Sequence, residues 1–231
     1  MKRRAFKVAL PYTIPVLMGY LFLGIAFGVL LGSKGYHVGW ALLMSVVIYA
    51  GSMQFVAINL LVSPFNLIHA LIVTLLVQAR HLFYGLSMLD KFKISEILKP
   101  YMIFALTDET YSLLCSVEPP EGVNKKWFMF FISLLNHSYW VLGSVIGNLA
   151  GTIFEFDPTG IDFAMTALFI VIFVEQWEQN RQHTPALLGL GVTLVSLLIF
   201  GTENFMVFAM MGIFIALSLL QSRLKEGEGT R

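Results

Sequence analysis

Apolar residues run in eight stretches, at 9–32, 38–62, 66–89, 100–117, 127–150, 161–177, 185–200 and 204–221, separated by charged residues, Pro and Gly. A helix crossing the hydrocarbon of a bilayer needs about 20 such residues, and only helices and closed barrels satisfy their own backbone there. The pattern predicts an all-α, polytopic helical membrane protein with seven to eight hydrophobic segments. The connections are too short to fold separately. Residues 1–231 therefore read as a single membrane domain, with 1–8 as a cytoplasmic N-terminus and 222–231 as a polar C-terminal tail.

Composition strengthens this picture. The chain is 57% hydrophobic and 13% charged, about half the charge of a soluble domain, which is too little for a water-soluble shell. A net charge of +1 gives no field for nucleic acid. One cysteine, Cys115, excludes an internal disulfide and any CxxC motif. Met1 to Arg4 with Lys7 looks like a signal-peptide start. The apolar run behind it is too long and has no small-residue cleavage pattern, so it is expected to stay as the first span. Met and Phe, though numerous, read as packing and lipid-facing residues and imply no cofactor.

Charge placement bears on topology, because cytoplasmic loops collect Lys and Arg. Eight crossings from a cytoplasmic N-terminus put Lys2, Arg3, Arg4, Lys7, Lys125, Lys126, Arg181, Arg223, Lys225 and Arg231 inside, and Lys34, Lys91, Lys93 and Lys99 outside. The loop at 90–99 is discordant. A single re-entrant segment within 38–89 would bring it inside but would also flip every later loop and equalise the two sides. Eight crossings are therefore expected.

Two stretches carry a doubled G-x-x-x-G, Gly24, Gly28 and Gly32 in one and Gly143, Gly147 and Gly151 in the other, 119 residues apart at each position. Three glycines on one helix face let a neighbouring backbone approach closely. The match hints at a weak internal repeat of two four-span halves in parallel orientation, or equally reflects only how common glycine is in membrane helices.

Candidate chemistry lies in the polar residues at membrane depth. Arg80 is well inside the third stretch, and Asp108 and Glu109 are at the middle of the fourth. A charge there costs about 2.5 to 3.5 kcal/mol on insertion scales, so it needs a partner or a wet cavity. A guanidinium fork suits a carboxylate and an acidic pair suits an ammonium group, together matching a zwitterionic amino acid. Equally, Arg80 can pair with Asp108 or Glu109 merely to fix helix packing. One of the two acids is a candidate proton carrier, since burial and a nearby cation pull a carboxyl pKa in opposite directions.

His81 can relay protons or hydrogen-bond between helices, and no histidine spacing suits a metal. Gly51, Ser52 and Gln54 interrupt an apolar run; they can unwind the helix to expose backbone groups, or only permit a tight crossing. Pro11 and Pro15 can kink the first stretch. Asn136 with His137 can be a helix-to-helix hydrogen bond.

The motifs AGSMQF at 50–55, ARHLFYGLS at 79–87, TDETYSLL at 107–114 and NHSYWVLGSVIG at 136–147, in this order, resemble the AzlC family, the large subunits of bacterial branched-chain amino acid exporters. The family pattern N-x-R-H in the third stretch is Gln78-Ala79-Arg80-His81 here. The resemblance implies a multi-pass protein of the bacterial cytoplasmic membrane that exports valine, leucine, isoleucine and analogues with a small AzlD-type membrane subunit of about four spans. It also implies substrate or coupling roles for Gly51, Ser52, Gln54, Arg80, His81, Asp108, Glu109 and Asn136.

Other classes fare less well. An intramembrane enzyme needs a nucleophile with its base, or a metal constellation. No G-x-S-G, G-x-G-D or paired-histidine spacing is present. No lysine lies inside a stretch to hold retinal. A structural or assembly subunit, with the buried charges pairing to another chain, is the remaining alternative.

Overall fold

A computed structural model describes residues 1–64, 66–94, 97–153, 163, 166, 167, 170, 173, 174, 177, 178 and 183–228, except the side chains of residues 76, 79, 80, 82, 83 and 94 and of most of 202–228. All regular structure among them is helical: α1 (Lys2–Ser33), α2 (Val38–Val47), α3 (Gly51–Val62), α4 (Leu67–Met88), a 3-10 turn (Lys91–Ile94), α5 (Lys99–Phe104), α6 (Asp108–Ser116), α7 (Lys125–Ile153) and α8 (Thr184–Glu228). The chain divides into two compact units, Met1–Thr166 and Ala167–Arg231.

The first unit is built on α1 and α7, packed through their glycine faces. A side chain at Gly24 would begin 3.0 Å from the Ser144 backbone nitrogen, and one at Gly143 would begin 2.9 Å from the Tyr20 carbonyl. Gly28 and Gly147 lie closer still to the opposite backbone, at Ser144–Asn148 and Ile25. Gly24 meets Gly143, Ile25 meets Gly147 and Val29 meets Gly151, so the helices run parallel. The constant separation of 119 residues is the register of this pair. Asn148 clamps its far end by donating to the carbonyls of Gly28 (3.2 Å) and Tyr36 (3.0 Å). Pro11 and Pro15 sit inside α1 without ending it.

Residues 38–62 do not traverse this bundle. The Tyr36 hydroxyl donates to the Leu61 carbonyl (3.3 Å), and the Gln54 amide donates to the Ser45 hydroxyl (3.2 Å). α2 therefore descends from the end where α1 finishes, and α3 climbs back beside it. Their 10 and 12 residues give depths of about 15 and 18 Å at 1.5 Å per residue, half of a roughly 30 Å hydrocarbon layer.

α4 then runs the full depth. Its 22 residues span about 33 Å, ending at Met88, which packs with Phe92, Ala5, Ala9 and Phe128 at the end where α1 and α7 begin. Residues 100–117 form a second hairpin, entering from this end. Tyr101 lies against Phe130, and Phe104, further along α5, reaches His137. α6 returns from the level of Asn136, which bonds Thr110 (3.0 Å), to Glu118, which bonds Lys125.

The expectation that each stretch crosses is thus corrected for 38–62 and 100–117. Each is a broken helix entering and leaving by the same end, because backbone breaks at 48–50 and 105–107 turn the chain at half depth. Two re-entrant segments, where only one was weighed from sequence, bring the 90–99 loop to the N-terminal end without flipping α7. Lys2, Arg3, Arg4, Lys7, Lys91, Lys93, Lys99, Lys125 and Lys126 then share one end of the first unit, and Lys34 lies at the other. Lys91 caps this arrangement by donating to the Leu114 carbonyl (2.9 Å) at the C-terminus of α6, where a cation complements the helix dipole. The repeat is also different from the one expected. α1 with its hairpin and α4 with its hairpin point in opposite directions, an inverted relation of the kind found in transporters.

In the second unit, α8 is interrupted at Gly201, whose φ of 69° and ψ of 179° are non-helical. Phe200 stacks on Phe208, and Val192 touches Gly212, so the two halves lie antiparallel. The 161–177 segment lies largely outside the described residues. The tail expected at 222–231 continues as helix to Glu228, with 229–231 outside the described residues.

Candidate functional site

The two hairpin tips meet on one stretch of α7. The first, Ile48–Ala50, turns because Tyr49 adopts a left-handed φ of 43°, a conformation costing roughly 1 to 3 kcal/mol for a residue with a side chain. Packing holds it there, with its ring 4.2 Å from that of His137 and 6.3 Å from that of Phe104. α3 begins with Gly51, where the Trp140 indole lies 3.0 Å from where a Cβ would be and leaves little room for a side chain. The second tip ends at Thr107, an extended residue whose hydroxyl accepts from the Thr110 N–H (3.3 Å) as an N-cap. Asp108 and Glu109 follow in the first turn, where the positive end of the helix dipole favours acids.

Polar side chains from six helices bind these tips together. Tyr20 of α1 donates to the Glu109 carboxylate (2.7 Å) and contacts the Thr107 hydroxyl (2.6 Å). Thr107 lies 3.0 Å from the Thr110 hydroxyl, which accepts from the Asn136 amide (3.0 Å). On the other side of Tyr49, the Trp140 indole donates to Gln54 (2.8 Å), Gln54 bonds Ser45, and His137 bridges the Ser45 carbonyl (3.2 Å) and the Tyr101 hydroxyl (3.0 Å). Gln54, Thr110 and Asn136 are wholly buried. The Asn136 carbonyl oxygen is buried with no hydrogen-bond partner, and the buried Tyr49 hydroxyl faces the hydroxyls of Tyr20 and Thr110. Leaving such an oxygen unpaired costs about 1 to 3 kcal/mol.

The residues singled out from sequence are distributed as follows. Glu109 and Asn136 join the Tyr20–Thr110 network, and Asp108 is half-buried at the same helix start. Gly51 and Gln54 serve the α3–α7 packing, and Ser52 is buried one residue into α3. The break at 48–50 realises the unwinding expected there. On α4, Tyr84 stacks on Tyr111 (4.6 Å) and Met88 meets Cys115 (3.9 Å), a parallel register of 27 residues. That register brings Arg80 and His81 level with Thr107 and Asp108. His81 is half-buried against Tyr84, and the Arg80 side chain lies outside the described residues.

Sequence reasoning missed Tyr20, Ser45, Tyr49, Tyr101, Thr107, Thr110 and Trp140. One signal was available: Asn136, Trp140, Ser144 and Asn148 recur every four residues, all buried, as one polar stripe of α7.

Fold and site together define a helical membrane protein with two half-depth hairpins closing on a buried polar centre. The AzlC protein family matches residues 15–154. A branched-chain amino acid transport protein AzlC of Bacillus subtilis is 49% identical over 224 residues, covering 97% of this chain and 88% of its own. An uncharacterized membrane protein of Helicobacter pylori strain J99 is 50% identical over 222 residues, covering 96% and 97%. The inner membrane protein YgaZ of Escherichia coli is 27% identical over 198 residues, covering 80% of each. No solved structure matches. The chain belongs to the AzlC family and is a membrane protein of that branched-chain amino acid transport family.

Proposed function

We propose that the chain is the large subunit of a secondary transporter that exports valine, leucine, isoleucine and analogues across the bacterial cytoplasmic membrane, driven by protons and assembled with a small AzlD-type subunit. The Bacillus subtilis relative's name supports the substrate class. The orientation follows from charge: the end carrying nine Lys and Arg faces the cytoplasm, with α1, α4 and α7 crossing.

One observation carries the reading. Two half-depth hairpins, entered from opposite ends, converge where the half-buried Glu109 lies near the buried Tyr49 and Asn136. Discontinuous helices of this kind hold substrates near the bilayer midplane, their N-termini favouring anionic groups. The amino acid's ammonium group is assigned to Glu109 and the Asn136 carbonyl oxygen. Its carboxylate is assigned to the Tyr49 hydroxyl, the positive end of α3 and Arg80. His81 of α4 and Asp108 of α6 are assigned to flank it.

Efflux of labelled leucine from proteoliposomes, with and without the small subunit and an imposed pH gradient, tests this. Arg80→Ala and Glu109→Gln are expected to abolish efflux while inserting at wild-type levels. Normal efflux from either variant, or none from the wild-type complex, contradicts the proposal and favours an assembly subunit.

A further inference from the structure

α3 and α4 meet at the end where α1 finishes, and there they enclose a cavity of about 200 Å³. Its lining is mixed. Asn59, Ser63, Asn66 and His69 form a polar rim, and Val56 and Val73, each about one turn further in, supply apolar walls. The rim side chains are exposed and the two valines half-buried. Pockets that enclose drug-sized ligands run to roughly 300 to 1,000 Å³, so this one admits only a small solute.

Helical register connects the cavity to the polar centre. On α3, Ser52, Val56, Asn59 and the C-capping Ser63 follow at intervals of four, three and four residues and share one face. Ser52 lies at the mid-depth start of that helix, beside the positive end assigned to the solute's carboxylate. On α4, Arg80 follows Val73 by seven residues, two turns deeper on the same face.

The rim suits a zwitterion with an apolar side chain. Asn59, Ser63 and a neutral His69 each offer both a donor and an acceptor. The Asn66 carbonyl oxygen accepts from the His69 N–H (3.1 Å), which leaves its NH2 group to donate. An ammonium and a carboxylate can both be hydrogen-bonded here while an aliphatic group lies on Val56 and Val73. Among the described lining residues none is acidic and His69 alone is basic. Without a fixed countercharge the hold is weaker than at Glu109 and Arg80, as release requires. Resting on the transport reading above, we propose that this cavity is an outer subsite for the branched-chain amino acid, occupied between the centre and the external water, with the α3–α4 groove as the outward half of the path.

Thiol labelling of the full complex tests the subsite. In a Cys115→Ser background, Asn59→Cys and Ser63→Cys are exposed to a small impermeant thiol reagent in right-side-out vesicles, without a pH gradient and at rising external leucine. Both positions are expected to react, and leucine to slow the reaction to about a tenth at ten times its dissociation constant. Lysine, whose second ammonium meets no acid here, should leave the rate unchanged. Arg80→Ala should keep the leucine protection, because the outer cavity binds without the centre. A rate that leucine does not alter overturns the subsite, as does failure of either position to react, the result expected if lipid or a partner helix fills the cavity. Equal protection by lysine, or protection lost in Arg80→Ala, overturns it as well. Protection needs no transport, so absence of leucine efflux from the wild-type complex sinks the transport reading separately.

Discussion

Trp140 and Gln54 show how single side chains hold the first hairpin in place. The indole N–H is satisfied by the Gln54 carbonyl, and the Gln54 amide by Ser45. Trp140→Phe is expected to leave a wholly buried acceptor without its donor, lowering stability by about 1 to 3 kcal/mol. The drop should appear in the thermal unfolding midpoint in detergent, with Gln54→Met in the same background recovering part of it. Glu118 marks the opposite case. A hydrogen bond from Lys125 holds its carboxyl below the usual range, although both groups lie open to water. The sign is that of a depressed acid, a contribution present above its unfolded pKa and lost as pH falls through the folded one. Because exposed pairs contribute little, Glu118→Gln should leave the unfolding midpoint unchanged at neutral pH. At this scale the sequence pointed to Gln54, Glu109 and Asn136, since a polar atom in an apolar run needs a partner. The partners Tyr20, Thr107 and Trp140 carry a hydroxyl or N–H on residues that an apolar run accommodates without notice.

At the level of helices, the glycine faces of α1 and α7 act as one contact. Gly28 and Gly147 leave no room for a Cβ against the opposite backbone, whereas nothing lies within 4 Å of Gly19. Gly28→Leu or Gly147→Leu should therefore separate the pair and abolish recovery of monodisperse protein, measured by size-exclusion chromatography. Gly19→Leu should behave as wild type. Overpacking of even a single methylene costs about 1 to 3 kcal/mol, and here rigid backbone stands in the way. The glycine spacing was plain in the sequence, and its meaning as close approach was legible. Its cause was not, because a fixed separation of 119 residues arises equally from a duplicated segment and from two helices packed in parallel register. The half-helices were hidden for a related reason. A 25-residue apolar run at 38–62 satisfies the length requirement of a crossing whether it passes through once or turns at Tyr49.

For the molecule as a whole, the two hairpins decide which loops share a side. In a protein with its native Cys115 replaced by Ser, Lys93→Cys and Lys126→Cys should react with an impermeant thiol reagent from one side of the membrane. Pro64→Cys and Lys34→Cys should react from the other. Eight simple crossings would instead put residues 93 and 34 together and residue 64 with 126, so the labelling pattern separates the two topologies. Apolar side chains such as Met18, Phe22, Leu67, Ile68 and Leu71 are exposed on the outside of this unit, as expected where lipid replaces water.

Composition and hydropathy alone determined that this chain is helical, that it lives in a membrane, and which polar residues have to be accounted for, because transfer from water to hydrocarbon is a property of each residue and its immediate neighbours. The motif order at 50–55, 79–87, 107–114 and 136–147 fixed the family. Tertiary structure decided where the chain turns back. Whether an apolar run crosses or returns depends on what it packs against, and the opposing surfaces here, Trp140 against Gly51 and Asn136 against Thr110, lie 89 and 26 residues away along the chain. Local hydropathy carries no record of that distance, and charge balance could register the turns only once both hairpins were counted together.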